Sequence, residues 1–288
     1  MARQVGRRRG MATTSAKQVT LSATKEWIMR SRFNGHDYRI CVYCPVEEPP
    51  AEGFPIIYTL DGNATFAMTT EMIRIQSVRR EKTGVVPAIV VGIGYDLDAP
   101  FPPRRHYDLT MPANEAELPV MPGGRERPEQ GGAKEFMSFI EEQLKPNIEQ
   151  HYSVNASKQM IIGHSLGGLF VLQMLFARPG TFHTYIAGSP SIHWNGSYLA
   201  QQEEAWTKAL TSGELASLKV RVLVAVGERE GNFKIPMIEN AKKQAERLSA
   251  LSEYGVHAVF KEFEDENHSS ILPVLINRAL RFADWASK

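Results

Sequence analysis

The chain contains one serine whose neighbours suit nucleophilic chemistry. The segment Gly163-His-Ser165-Leu-Gly167 is a G-x-S-x-G sequence, with a glycine two residues to either side of the serine. An apolar, strand-like run leads into Gly163 and a helical pattern begins right after Ser165, which predicts the sharp strand-to-helix turn that exposes a nucleophilic hydroxyl. The alternative is a glycine-rich structural turn with a helix-capping serine. We predict that Ser165 is a nucleophile.

A serine hydroxyl reacts slowly near neutral pH unless a base lies within hydrogen-bond reach. In folds that use this turn, an acid and then a histidine follow the serine along the chain, and the histidine lies in the loop after the last strand. His268 fits this position, because it follows the strand-like residues 258–263 and precedes the final helical pattern. We interpret the other histidines as incidental, and His164 as a side chain that packs beneath the turn.

The acid that orients the histidine is expected at the end of the preceding strand. The run Gly227-Glu228-Arg229-Glu230 follows strand-like residues there, and Glu230 has the Gly-x-x-acid spacing common in this fold. Glu228 is the second candidate, and Asp265 is a third on the same loop as the base. Surface ion pairing is the structural alternative for these carboxylates. The sequence favours Glu230.

The negative oxygen of a tetrahedral intermediate needs preorganised donors. One is expected from the backbone N–H of Leu166, at the start of a helix whose dipole also favours negative charge. The second is expected from the loop after the strand-like residues 54–60, where Asn63 is favoured over Gly62. A plain glycine turn is the alternative for this loop.

These residues require a sheet that brings several strand ends together. The first two strand-like runs are separated by Asn34-Gly35, a strong hairpin signal, and the later runs alternate with helical patterns. The chain therefore predicts the α/β-hydrolase fold, a mostly parallel central sheet with antiparallel N-terminal strands and helices on both faces. Strand-like runs occur at residues 25–33, 38–45, 54–60, 85–93, 159–162, 184–187, 220–226 and 258–263, and helical patterns at residues 136–148, 166–177, 238–251 and 270–286.

The chain has one long irregular segment and one basic terminus. Residues 95–132 are rich in proline, glycine and charge and leave the carboxyl end of a strand, so we expect them to shape the substrate site rather than form a disordered excursion. Residues 1–20 are expected to be a flexible basic tail and residues 21–288 a single domain. Met11 is an alternative natural start, which would make residues 1–10 non-native.

Composition excludes several classes of function. The net charge is +1 with both signs interspersed, so no overall basic field recruits nucleic acid. No apolar run reaches the roughly 18 residues of a membrane span, and residues 11–20 lack the apolar core of an export signal. We therefore expect a cytoplasmic protein that has no membrane partner. The only cysteines, Cys41 and Cys44, lie in a strand-like run that points them to opposite faces, which favours a structural role over a metal or redox site.

Six motifs in one order give the chain a specific resemblance from about Trp27 onward. It resembles the siderophore trilactone esterases and their enterochelin-esterase-like relatives. The resemblance implies a serine esterase that cleaves the ester backbone of catecholate siderophores, often iron-loaded, with no cofactor and no catalytic metal. The motifs are Tyr58-Thr-Leu-Asp-Gly-Asn63, Arg104-Arg-His-Tyr-Asp-Leu-Thr110, Ile162-Gly-His-Ser-Leu-Gly-Gly-Leu-Phe170, Gly188-Ser-Pro-Ser-Ile-His-Trp-Asn195, Gly227-Glu-Arg-Glu230 and Asn267-His268.

An anionic ferric catecholate also suggests substrate contacts. Arg104 and Arg105 lie on the irregular segment, where guanidinium groups can bind oxyanions and stack on aromatic rings, and Trp194 can pack a catechol ring. Solvated arginines and a buried tryptophan are the structural alternatives. The family also contains general esterases and members with a Ser/His dyad. A general carboxylesterase or acyl-thioesterase is therefore the alternative function, and a catalytically silent binding module is a third hypothesis.

Overall fold

The structure, a computed structural model, describes residues 19–113, 118, 126–232 and 234–286. The expected basic tail falls almost wholly outside the described residues, as does the alternative start at Met11. The division into a tail and one domain therefore stays a prediction. Part of the irregular segment, residues 114–117 and 119–125, also lies outside them.

The described residues form one eight-stranded sheet with the order β1-β2-β4-β3-β5-β6-β7-β8. β2 pairs antiparallel with both β1 and β4, and the remaining neighbours are parallel. This arrangement confirms the predicted fold class. The strands are β1 (Thr24–Arg30), β2 (Asp37–Tyr43), β3 (Phe54–Thr59), β4 (Ile89–Gly94), β5 (Val154–His164), β6 (Thr184–Gly188), β7 (Val220–Gly227) and β8 (Val256–Phe263).

The hairpin connection at the start of the sheet, residues 31–36, is longer than predicted. β1 ends at Arg30, three residues before the predicted end, because the next residues already form the turn. The Ser31 N–H donates to the carbonyl of His36 over 2.7 Å, and the Gly35 N–H donates back to Ser31 over 3.0 Å. Gly35 has φ +68°, a conformation that glycine adopts without a steric cost.

Helices cover both faces of the sheet. α1 and α9 pack on one face, and α6, α7 and α8 lie on the other. The predicted helix 136–148 is a longer helical run, because a π-helical turn at Ile140–Leu144 joins α4 to α5. The helices are α1 (Gly62–Ser77), α2 (Arg80–Thr83), α3 (Arg105–Leu109), α4 (Ala133–Phe139), α5 (Lys145–His151), α6 (Leu166–Ala177), α7 (Gly196–Thr211), α8 (Met237–Ser249) and α9 (Ile271–Phe282).

α1 was not predicted from the sequence because its buried face is partly polar. Thr65, Thr69 and Thr70 are buried at helical spacing, so the apolar period that marks a helix is interrupted. The Thr69 hydroxyl donates to the carbonyl of Thr65 over 2.8 Å, whereas the buried Thr70 hydroxyl has no hydrogen-bond partner among the described residues. α1 follows β3 directly and therefore places its first residues at the carboxyl edge of the sheet.

The core lies in two layers, one on each face of the sheet. Cys41 packs against the layer on the α1 face and Cys44 against the other, as the strand pattern predicts for this pair. Both thiols are free. No helix within the described part of the chain has the length and apolar character needed to cross a membrane.

Candidate active site

Ser165 lies in the turn between β5 and α6. Its backbone has φ +59° and ψ −117°, a strained conformation for a non-glycine residue, and it immediately precedes the first residue of α6. Two glycines near Ser165 are sterically required. A Cβ at Gly163 would overlap the carbonyl oxygen of Gly167, and a Cβ at Gly168 would meet the Gly188 carbonyl. The turn therefore presents the Ser165 hydroxyl at the carboxyl edge of the sheet.

A continuous hydrogen-bonded chain runs from this serine to a buried carboxylate. The Ser165 Oγ is 3.0 Å from His268 Nε2, and His268 Nδ1 is 2.7 Å from Glu230 Oε2. His268 lies in the loop between β8 and α9, and Glu230 lies in a short 3₁₀ turn after β7. The structure thus brings the three predicted residues into contact, although they come from three different loops.

Glu230 is fully buried and its carboxylate is fully used. Oε1 accepts hydrogen bonds from the Ser189 hydroxyl over 2.6 Å and from the Gly227 N–H over 2.8 Å, while Oε2 faces His268. Burial alone would raise the pKa of Glu230, but these hydrogen bonds outweigh burial and lower it. The carboxylate is therefore ionised at neutral pH and holds a proton on His268 Nδ1, which makes Nε2 the acceptor for the Ser165 hydroxyl.

The two other acid candidates point elsewhere. Glu228 accepts a hydrogen bond from the backbone N–H of Asp265 over 2.9 Å. The Asp265 side chain is 79% exposed and forms an ion pair with Arg229 at 2.9 Å. In both cases the carboxylate is used in a surface contact beside the site and does not reach His268.

His164 packs against His268 as a neutral ring. The ring centroids of His164 and His268 are 4.6 Å apart. Burial, together with the neighbouring His268, lowers the pKa of His164 to about 3. It therefore stays uncharged at neutral pH and adds no cation beside His268.

The predicted oxyanion donors lie at the two loops that border Ser165. Leu166 is the first residue of α6, so its backbone N–H belongs to the unpaired first turn. Gly62 and Asn63 begin α1 in the same way. The Asn63 side chain is already occupied, since it donates to the carbonyls of Tyr95 and Leu97 and accepts from the Tyr95 N–H. Only the main chain of this loop remains available to an oxyanion.

Arg105 has a buried partner that the sequence did not indicate. Its guanidinium binds the Asp61 carboxylate through two hydrogen bonds of 2.7 and 2.8 Å, and also approaches the His164 carbonyl at 3.4 Å. Asp61 has φ +52° and directly precedes α1. The pair therefore joins three segments that border the site: the β3–α1 loop, the serine turn and α3.

Two cavities flank the Ser165 hydroxyl, and Arg105, Ser165 and His268 line both. One has a volume of about 290 Å³ and the other about 210 Å³. Arg104 is exposed and lines neither of them. The larger cavity is also bordered by His106, Leu166, Ser191, His193, Trp194, Ile235 and Met237, and the smaller by Phe101, His164, Ser269 and Leu272.

Trp194 forms one wall of the larger cavity. It is only 8% exposed, and the Arg127 guanidinium lies 5.4 Å from the centre of its ring. None of the described residues that line this cavity is a carboxylate. The wall thus offers an aromatic ring against which a planar aromatic group can pack.

Sequence reasoning missed four residues that support the site: Asp61, Arg127, Ser189 and Ser191. Asp61 and both serines belong to motifs that were recognised, yet their contacts cross from one loop to another. The dipeptides Asp61-Gly62 and Ser189-Pro190 mark turns, and a polar residue in a turn at a strand end was the available signal. Arg127 stood in a segment without periodicity, which carried no such signal.

Comparison with known proteins decides the family. A family model described as "Esterase: Putative esterase" matches residues 31–271. The chain belongs to this esterase family. The enzyme is 48% identical over 269 residues to the ferri-bacillibactin esterase BesA of Bacillus subtilis, covering 93% of this chain and 92% of that protein. It is also 33% identical over 254 residues to the siderophore triacetylfusarinine C esterase of Aspergillus fumigatus, covering 80% and 82%.

Solved structures agree with the fold of this esterase. A crystal structure of the BES protein from Bacillus cereus superposes with a TM-score of 0.84 and 38% identity, covering 94% of this chain and 99% of that one. The siderophore hydrolase EstA of Aspergillus nidulans superposes with a TM-score of 0.73 and 27% identity, covering 96% and 100%. The family, fold class and esterase class predicted from the sequence are confirmed.

Proposed function

We propose that this esterase hydrolyses the ester bonds of a catecholate siderophore of the trilactone type through an acyl-enzyme on Ser165. The observation that carries the proposal is the hydrogen-bonded chain Ser165–His268–Glu230, which lies between two cavities. The relatives named as siderophore esterases, at 48% and 33% identity, support the substrate class. A cytoplasmic location stays a prediction of the sequence.

The acylation step gives one role each to Ser165, His268 and Glu230. Ser165 Oγ attacks the ester carbonyl carbon while its proton passes to His268 Nε2, and Glu230 stabilises the resulting imidazolium. The carbonyl oxygen becomes an oxyanion, for which we propose the backbone N–H of Leu166 and a main-chain N–H of the Gly62-Asn63 loop as donors. The intermediate collapses with cleavage of the C–O bond, and His268 returns the proton to the departing alcohol oxygen.

Deacylation repeats the same proton transfers with water as the nucleophile. His268 takes a proton from a water molecule, whose oxygen attacks the acyl carbon and forms a second tetrahedral intermediate. Its collapse releases the carboxylic acid and restores the Ser165 hydroxyl with the proton from His268. One water is consumed for each ester cleaved, and the products are an acid and an alcohol.

The shape of the site favours an ester with bulk on both sides. In a catecholate trilactone, one aromatic amide arm branches from the acyl side of each scissile ester and another from its alcohol side. Two cavities of about 290 and 210 Å³ that both adjoin Ser165 can take two such arms, whereas a short acyl ester would leave one of them empty. Trp194 offers an aromatic wall on which a catechol ring can pack in the larger cavity.

The test compares substrate classes on the same protein. Purified enzyme is incubated with ferric and iron-free catecholate trilactones and with a p-nitrophenyl ester of a short acid, and linear products are followed by chromatography. We expect kcat/KM for the trilactone to exceed that for the short ester. No trilactone turnover beside brisk cleavage of the short ester would refute the siderophore assignment and favour a general carboxylesterase.

A matched pair of tryptophan variants tests the substrate contact. Trp194→Leu should raise KM for the trilactone more than for the short ester, because the aromatic wall is lost. Trp206→Leu is the control, since Trp206 is equally buried but packs on Phe176 away from both cavities. Equal losses on both substrates in the two variants would mean that destabilisation, not ring contact, explains the effect.

A further inference from the structure

One loop contacts both ends of the Ser165–His268–Glu230 chain. This loop, residues Ser189 to Ser191, connects β6 to a short 3₁₀ turn. The Ser189 hydroxyl donates to Glu230 over 2.6 Å, and the Ser191 Oγ is 3.3 Å from Ser165 Oγ. Both serines are buried. We name this segment the β6 loop.

Two backbone hydrogen bonds hold the β6 loop in place, one to Ser165 and one to β7. The Ser191 N–H donates to the carbonyl of Ser165 over 3.1 Å, and the Ser189 N–H donates to the carbonyl of Ala225 over 2.6 Å. Ser189 has φ +39°, which is strained for a residue with a side chain. A glycine would adopt this conformation without strain, so the presence of serine points to a use for its hydroxyl.

The direction of the hydrogen bond between the two hydroxyl groups follows from proton counting. Ser165 has one hydroxyl proton, and in the reactive arrangement that proton is donated to His268 Nε2. The remaining contact of Ser165 Oγ must therefore be accepted, which makes the Ser191 hydroxyl the donor. As the Ser165 proton leaves, charge on Oγ increases and a donor at this position becomes more favourable.

We propose that the β6 loop is part of the catalytic machinery, with Ser191 as a further catalytic residue and Ser189 as a positioning residue. Ser191 donates a hydrogen bond to the nucleophilic oxygen during attack and transfers no proton. Ser189 holds the Glu230 carboxylate in the orientation that binds His268 Nδ1. The proposal rests on the serine-esterase chemistry proposed above and not on the identity of the siderophore.

The test for Ser191 measures attack by Ser165 directly. A fluorophosphonate inactivates serine esterases by reaction at the nucleophile, so its rate constant reports on Ser165 Oγ without any siderophore. Ser191→Ala should lower the maximal inactivation rate constant by roughly tenfold with little change in probe affinity. Ser191→Thr, which keeps the hydroxyl, should return the rate constant to within about threefold of wild type.

Two outcomes would overturn the role of Ser191. One is wild-type inactivation of Ser191→Ala, and the other is an equal loss in the alanine and threonine variants, which would indicate packing instead of hydrogen bonding. Ser165→Ala is the negative control. If that variant were still labelled, the proposed nucleophile would fail, which is a different result from failure of the trilactone assay.

Ser189 is tested with two variants that separate backbone strain from the hydroxyl. Ser189→Ala and Ser189→Gly both remove the hydroxyl, but only glycine relieves the strained φ. We expect kcat for a p-nitrophenyl ester to fall by roughly tenfold in both variants while KM stays near wild type. Restoration of kcat by glycine, or a change confined to KM, would show that Ser189 serves only the turn and would overturn its positioning role.

Discussion

Replacement of Glu230 by glutamine changes one buried oxygen to an amide nitrogen, and the surrounding hydrogen bonds determine which one. Oε1 accepts from two donors, the Ser189 hydroxyl and the Gly227 N–H, whereas Oε2 faces only His268. An NH₂ group placed at the first position would meet two donors in a buried site. In Glu230→Gln the amide oxygen therefore stays with Ser189 and Gly227, and the NH₂ faces His268 Nδ1.

This orientation forces the wrong tautomer on the histidine. With a donor opposite it, His268 Nδ1 must act as an acceptor, so the ring proton moves to Nε2, which faces Ser165 at 3.0 Å. A protonated Nε2 cannot accept the serine proton. Loss of the correct tautomer together with the ionised carboxylate is expected to lower kcat by on the order of 10³- to 10⁴-fold, with little change in KM.

The assay is steady-state hydrolysis of a p-nitrophenyl ester, with thermal unfolding measured in parallel to show that the variant folds. Glu228→Gln is the matched control, two residues away. The Glu228 carboxylate accepts the Asp265 N–H, a hydrogen bond that a glutamine oxygen can also accept, so we expect nearly wild-type activity. If Glu230→Gln kept activity within about tenfold of wild type, the Ser165–His268 pair would work as a dyad and the reasoning would be refuted.

Three further predictions concern stability. Gly163→Ala should lower the free energy of unfolding by about 1 to 3 kcal/mol in denaturant titrations, because its Cβ overlaps backbone, whereas Gly196→Ala, with open space around it, should change it little. Arg105→Met leaves the buried Asp61 carboxylate unpaired and should lower the free energy of unfolding by about 3 to 5 kcal/mol. The control Arg30→Met breaks an exposed ion pair with Asp37 and should lower it by at most about 1 kcal/mol. Equal losses in the two variants would contradict this ranking. Burial raises the pKa of Asp108 to about 6, so the folded state keeps the carboxyl proton to a higher pH than the unfolded chain does. The free energy of unfolding therefore falls as the pH rises from roughly 4 to 6. Asp108→Asn should flatten that part of a plot of Tm against pH.

Much of the fold could be predicted because its elements have local signatures. The glycines around Ser165 and the Asn34-Gly35 turn are short patterns that report backbone conformation directly, and apolar runs report burial. The prediction was wrong where a local pattern was incomplete. α1 buries threonines at helical spacing, and β1 ends at Arg30 because the hairpin turn starts at Ser31.

The site residues likewise differ in whether a local sequence pattern predicts them. The sequence by itself predicted Ser165 from its turn and His268 from chain order, since strand ends in a parallel sheet meet at one edge. It could not choose firmly between Glu230 and Glu228, which stand two residues apart on one turn.

Only the tertiary structure directs Glu230 inward to His268, pairs Arg105 with Asp61, and brings Ser189 and Ser191 to the two ends of the hydrogen-bonded chain. Those contacts join residues that are 26 to 44 positions apart. The physical reason is that the partner of a buried polar group is set by which loops the sheet brings together, and this information is not contained in any single local pattern.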